Sequence, residues 1–145
     1  MVRSFARARV FPVVAWAYLA AIGLQIFFAG MYVFVGAEML ELHTTFAHAF
    51  IVLSVLMIGT AFIGQVDGRS KRLTFALLGL LVLQGMLVHV GQWFGLWTIA
   101  ALHPVNAMLL AYASLTLARH AATSWNVKRD TNPVSIAGRS ALASR

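Results

Sequence analysis

The sequence predicts an all-α integral membrane protein, an up-down four-helix bundle with its N and C termini in the cytoplasm. Composition, four apolar stretches and a one-sided distribution of basic residues all point there. The 145 residues are 61% apolar and only 10% charged, whereas a soluble domain carries about 25% charged residues to coat its surface. A mean hydropathy of +0.83 leaves apolar surface that needs an apolar solvent, and lipid supplies one. With no cysteine in the chain, disulfides, thiolate metal sites and covalent haem attachment through CxxCH are excluded. The net charge of +7 then reflects which loops face the cytoplasm, and no nucleic-acid partner is implied.

The first apolar stretch, Val10 to Val35, follows a basic segment with Arg3, Arg7 and Arg9. It is far longer than the ~7–15 residues of a signal-peptide core, so it is read as a retained helix. The second runs from Thr44 to Gly64, the third from Leu73 to Gln92 and the fourth from Ile99 to Leu117. Each approaches the ~20 helical residues that cross a bilayer core. In lipid the backbone must satisfy itself, and period-two alternation is absent, so the stretches are helices and not barrel strands. Gln65 to Arg72 is a polar turn, and Trp93 and Trp97 suit a headgroup boundary on the opposite side. Short connections make successive helices antiparallel neighbours. The chain thus divides into a basic cytoplasmic N-terminus (1–9), a four-helix membrane domain (10–120) and a disordered basic tail (121–145). No internal repeat stands out.

Orientation follows from charge. Arg3, Arg7 and Arg9, then Arg69, Lys71 and Arg72, then Arg119, Lys128, Arg129, Arg139 and Arg145 all fall on one side, while the opposite connections hold Glu38 and Glu41. The positive-inside rule makes the basic side cytoplasmic.

Polar groups inside a membrane span are costly and tend to be functional. His120, beside Arg119, is expected to face headgroups. His43, His48, His89 and His103 all map to the outer half. Counting ~20 residues from the cytoplasmic ends puts His48, His89 and His103 at one depth, with His43 at or beyond the boundary. Helices 2 and 4 lie diagonally across such a bundle. The gap between them suits a flat macrocycle held by two axial imidazoles, a haem b. His43 and His48, five residues apart, point about 140° from one another, so one of them is a bystander. Gln25, Gln84 and Gln92 are candidates for bonds between helices. Pro104 either begins the fourth helix, making His103 a cap residue, or kinks a longer one.

The run LQGMLVHVGQWFGLWTIAALHPVNAMLLAYASLTLAR (Leu83 to Arg119) resembles the second helical hairpin of one half of heme A synthase, and ELHTTFAHAF (Glu41 to Phe50) is similar to the histidine-bearing helix 2 of that family. LQIFFAG, ELH and ALHPVNAM more closely resemble a family of small uncharacterised four-helix bacterial membrane proteins. The first resemblance implies histidine ligands from helices 2 and 4, matching His103 and His43, whereas depth counting favours His48. This chain has a single half and lacks the outer cysteine pair, so no enzymatic oxidation of haem is expected. The expectation is a b-type cytochrome-like protein with His103 and either His48 or His43 on the iron and His89 nearby. It would serve electron transfer or act as the haem-bearing subunit of a larger membrane complex. The alternative is a non-catalytic accessory subunit packed against a larger redox or pigment complex.

Overall fold

The computed structural model describes residues 2–131, with side chains from 9 onward except 130. Among these the chain is all helical. α1 (Val2–Phe34), α2 (Leu40–Ile63), α3 (Gly68–Phe94) and α5 (His103–Asp130) are long; α4 (Trp97–Ala100) is one turn, and a 3-10 turn spans Ala37–Met39. Packing order around the bundle is α1, α2, α3, α5, with α1–α2, α1–α5 and α3–α5 closely packed and the α2–α3 seam the loosest. α2 and α5 therefore lie on a diagonal, as do α1 and α3.

All four long helices are long and apolar enough to cross a membrane, yet only 11–33% of each one's most apolar window is buried inside the chain. The rest faces outward. Val55, Met108, Tyr112 and Val13 are exposed while Ser54, Ser70, Thr74, Asn106 and Ser114 are buried. A helix apolar on every side needs an apolar surround.

The buried positions share one register. Phe11, Ala15, Tyr18 and Ile22 are buried on α1, Phe50, Ser54, Met57 and Ala61 on α2, and Leu110, Ser114, Leu117 and Ala121 on α5; on α3 they are Ser70, Thr74 and Leu77, followed by half-buried Leu81. Each set steps by four, three and four residues, the inward stripe of a bundle helix. The α1 set maps onto the α3 set at an offset of 59, and the α2 set onto the α5 set at 60. The molecule is thus two equivalent helical hairpins, α1–α2 and α3–α5, contrary to the expectation of no repeat. The equivalence lies in position more than identity: Phe11 answers Ser70, and Tyr18 answers Leu77. Small residues at such positions let membrane helices approach closely.

α5 continues ten residues past the expected boundary at 120. Ala118, Ala121 and Ala122 are strong helix formers, and Lys128 and Arg129 complement the dipole of the last turn. Of the tail expected to be disordered, 132–145 lie outside the described residues. Pro104 lies in the first turn of α5, where the missing N–H costs nothing, so it starts the helix and does not kink it. The N-cap is Leu102, one residue before His103.

α3 begins at a well-made cap. Asp67 accepts from the Arg69 and Ser70 N–H groups and from the Ser70 hydroxyl. Partial burial pushes its carboxyl pKa up. The Ser70 N–H, the His120 side chain and the Ser70 hydroxyl outweigh that and hold it well below its ordinary 3.8. Asp67→Ala is expected to cost about 1 kcal/mol at neutral pH. With the folded pKa depressed, the carboxylate's contribution is complete above roughly pH 4 and is lost as the pH falls further. Unfolding curves of variant and wild type in detergent should therefore converge on acidification.

At the other end α3 stops at Gly95, whose φ of 67° is the left-handed conformation of a helix C-cap. The chain then folds α4 back against α3 so tightly that a Cβ on Gly91 would stand 2.7 Å from the Ala100 Cβ and 3.1 Å from its backbone nitrogen. Gly91→Ala must move backbone. An expected loss of about 1–3 kcal/mol in thermal unfolding follows from overpacking.

Candidate functional site

The two equivalent hairpins carry one polar device each, near the end of the bundle opposite the Gly64–Asp67 turn. In the first, the Gln25 side-chain amide donates to the His43 carbonyl at 2.9 Å, and His43 Nδ1 returns a bond to the Gln25 carbonyl at 3.3 Å. In the second, the Gln84 amide donates to the His103 carbonyl at 3.1 Å, and His103 Nδ1 bonds the Gln84 carbonyl at 3.1 Å. Each glutamine–histidine pair closes its own hairpin with two reciprocal bonds. Gln25 and Gln84 thus bond across helices, as their position inside apolar spans suggested.

A carbonyl can only accept, so Nδ1 carries the proton in both neutral imidazoles and Nε2 holds the lone pair. A histidine that ligates through one nitrogen while the other donates to a carbonyl has its ring orientation and tautomer set in advance. His43 Nε2 faces the Gln25 amide nitrogen at 3.2 Å. Binding a metal there exchanges this longer contact and leaves the amide's 2.9 Å bond intact.

The diagonal brings the two rings together. The centroids of His43 and His103 are 6.4 Å apart with planes inclined at 64°. One metal ion held in line between both Nε2 atoms at about 2.0–2.1 Å, with about 1.1 Å more to each ring centre, would set the centroids about 6.3 Å apart. Both residues are half-buried. Beneath His103, Asn106 is 3% exposed; its amide donates to the Leu80 carbonyl at 2.8 Å and to Gln84 Oε1. The position equivalent to Asn106 is Phe46, which stands edge-on to Phe28 and Phe50. Gln25 Oε1 and Asn106 Oδ1 are buried acceptors with no protein donor. Buried acceptors of this kind call for a donor from a guest or a water.

The remaining histidines are elsewhere. His48 is exposed on the outer side of α2. His89 is exposed on α3, with Nδ1 bonded to the Gly85 carbonyl of its own helix at 2.8 Å and its ring edge-on to Trp93. Gln84 and His89 are five residues apart, like His43 and His48, so in each helix the first member faces inward and the second outward. His120 does not simply face outward: its Nε2 is 3.1 Å from Asp67 Oδ1, tying α5 to the α2–α3 turn. Among the described residues no group of three or more His, Cys, Asp or Glu side chains could hold a metal ion. Two imidazoles alone leave a transition metal short of ligands, whereas a tetrapyrrole supplies four of its own.

Sequence reasoning weighed the histidines and passed over the frame that repeats around them. Leu24–Gln25 recurs as Leu83–Gln84, Gly36 as Gly95, Leu42–His43 as Leu102–His103, and Ser54 as Ser114. That sparse match was the available signal.

Residues 25–92 match the model of a family of unknown function (DUF6220). The match includes Gln25, His43 and Gln84 and ends short of His103. No curated protein matches the chain. No solved structure matches it either. The likeness to an uncharacterised family is thereby supported, and that to heme A synthase is not.

Proposed function

We propose that this chain is a multi-pass membrane protein that holds haem b between His43 and His103. It would serve electron transfer or act as the haem-bearing subunit of a larger membrane complex. The observation that carries the reading is the paired imidazoles: two residues on diagonal helices, each tied through Nδ1 to a glutamine carbonyl, at the spacing one shared metal requires. Without cysteine the group is held non-covalently. When bound, haem supplies one-electron redox chemistry. The chain's own residues position the imidazoles, fix their tautomers and surround the site with apolar helix. The positive-inside rule orients the bundle: Arg69, Lys71, Arg72 and Arg119 face the cytoplasm, and the histidine pair sits toward the outer face of a bacterial cytoplasmic membrane.

Absorption spectra of protein purified after haem-replete expression test the reading. A Soret band, with one haem per chain and a shift on reduction, is expected; a colourless, folded protein rejects it. That second outcome would favour a non-catalytic accessory subunit. The specific support for this alternative is that the glutamine bonds alone satisfy Nδ1 of both rings and close both hairpins.

A further inference from the structure

A second site lies at the opposite, basic end of the molecule, in the groove between the start of α3 and the middle of α5. Its volume is about 400 Å³, within the range of ligand pockets. Arg69, Arg119 and His120 form its mouth, and Tyr112, Leu115 and Thr116 its wall. The threonine hydroxyls are already committed as donors within α5: Thr116 bonds the Tyr112 carbonyl at 2.9 Å, and Thr123 bonds the Arg119 carbonyl at 3.0 Å. The charged donors toward a guest are the two guanidinium groups. The nearby carboxylate, Asp67, is engaged by Ser70 and His120, and its single negative charge is outweighed by the two guanidinium groups, so the mouth stays positive.

We infer that this groove binds the phosphodiester headgroup of an anionic phospholipid, with an acyl chain laid along α5. The order of chemistry along the helix argues for a lipid. From Arg119 to Tyr112 is seven residues, about 10 Å of helix, and over that distance the lining passes from guanidinium to an aromatic ring that is 73% exposed. A free phosphate would use only the mouth. A phospholipid uses both parts, and two arginine forks suit its phosphate oxygens. Basic pockets between membrane helices on the cytoplasmic side bind anionic headgroups by the same chemistry. The inference rests on the reading that the helices cross a membrane and is independent of haem.

The test is native mass spectrometry of the full chain in detergent, titrated with phosphatidylglycerol, phosphatidylcholine or inorganic phosphate. Wild type should hold one phosphatidylglycerol in preference to phosphatidylcholine, and millimolar inorganic phosphate should not displace it. Arg69→Gln with Arg119→Gln should weaken binding roughly 30-fold. Lys71→Gln with Arg72→Gln, the same charge change outside the groove, should stay close to wild type. Should the double glutamine variant not fold, Arg69→Lys with Arg119→Lys keeps the charge, loses the fork, and should weaken binding several-fold. Unchanged binding in the groove variants overturns the proposal. So does an equal loss in the Lys71/Arg72 control, which means diffuse charge, or displacement by inorganic phosphate, which means a soluble anion. Whether the wild-type protein partitions into detergent checks the membrane reading separately.

Discussion

Replacing His103 by alanine is expected to leave a folded, colourless protein, with the Soret band lost. His43→Ala should do the same, because the two imidazoles paired on the diagonal would share the group between them. His48→Ala and His89→Ala should retain stoichiometric haem, since both side chains lie on the outside of the bundle. Gln84→Ala removes the amide that holds the His103 backbone and one of the two acceptors of the Asn106 amide. The backbone carbonyl that accepts from His103 Nδ1 is kept in this variant, so haem should bind only several-fold more weakly, short of the roughly 10–100-fold lost with a ligand's own outer partner. Haem content after gel filtration, with circular dichroism to report folding, separates these outcomes. Colour that survives in His103→Ala would reject the ligand assignment while leaving the fold untouched.

Tyr18→Ala should be among the most destabilising single changes. The side chain is 0% exposed, stands edge-on to Phe50 at 5.4 Å and receives a hydrogen bond from Ser54 at 3.5 Å. Truncation leaves a ring-sized cavity and an unpaired hydroxyl, an expected loss of about 3–5 kcal/mol. Its counterpart in the second hairpin, Leu77, is equally buried, and Leu77→Ala should cost about 2–5 kcal/mol. Tyr18→Phe removes only the hydroxyl and should cost about 1 kcal/mol. Unfolding in mixed detergent micelles would rank the three. Near-equal stability of Tyr18→Ala and Tyr18→Phe would mean that the ring does not fill the core as described.

The four apolar helices were legible because length and hydropathy alone decide them: the first two expected stretches overrun their helices by a single residue, the third lies inside α3, and the fourth runs from α4 into α5. The choice between His43 and His48 was not, because a depth count assumes a helix of standard length. Counting ~20 residues back from Gly64 stopped at Thr44, whereas the apolar helical span reaches Ala37. That extension moves His43 from the rim into the inward stripe. Helical geometry had already required one of the pair to face away, and His48 does. The repeat was hidden for a different reason. Packing preserves which positions face inward but tolerates exchange between Phe and Ser or Tyr and Leu when the opposite helix compensates. The Gln–His pairs, which have directional bonds to make, keep their identity in both hairpins.

The near-symmetry of the two hairpins is broken one turn below the imidazoles, where Phe46 and Asn106 occupy corresponding places. A flat guest on the diagonal would be gripped alike from either side, yet one of its faces would rest over edge-on aromatic rings and the other over an amide network. Turning such a guest over exchanges unlike surroundings. With such a guest in place, the protein would have a means of telling its two faces apart, although the two gripping atoms would be the same.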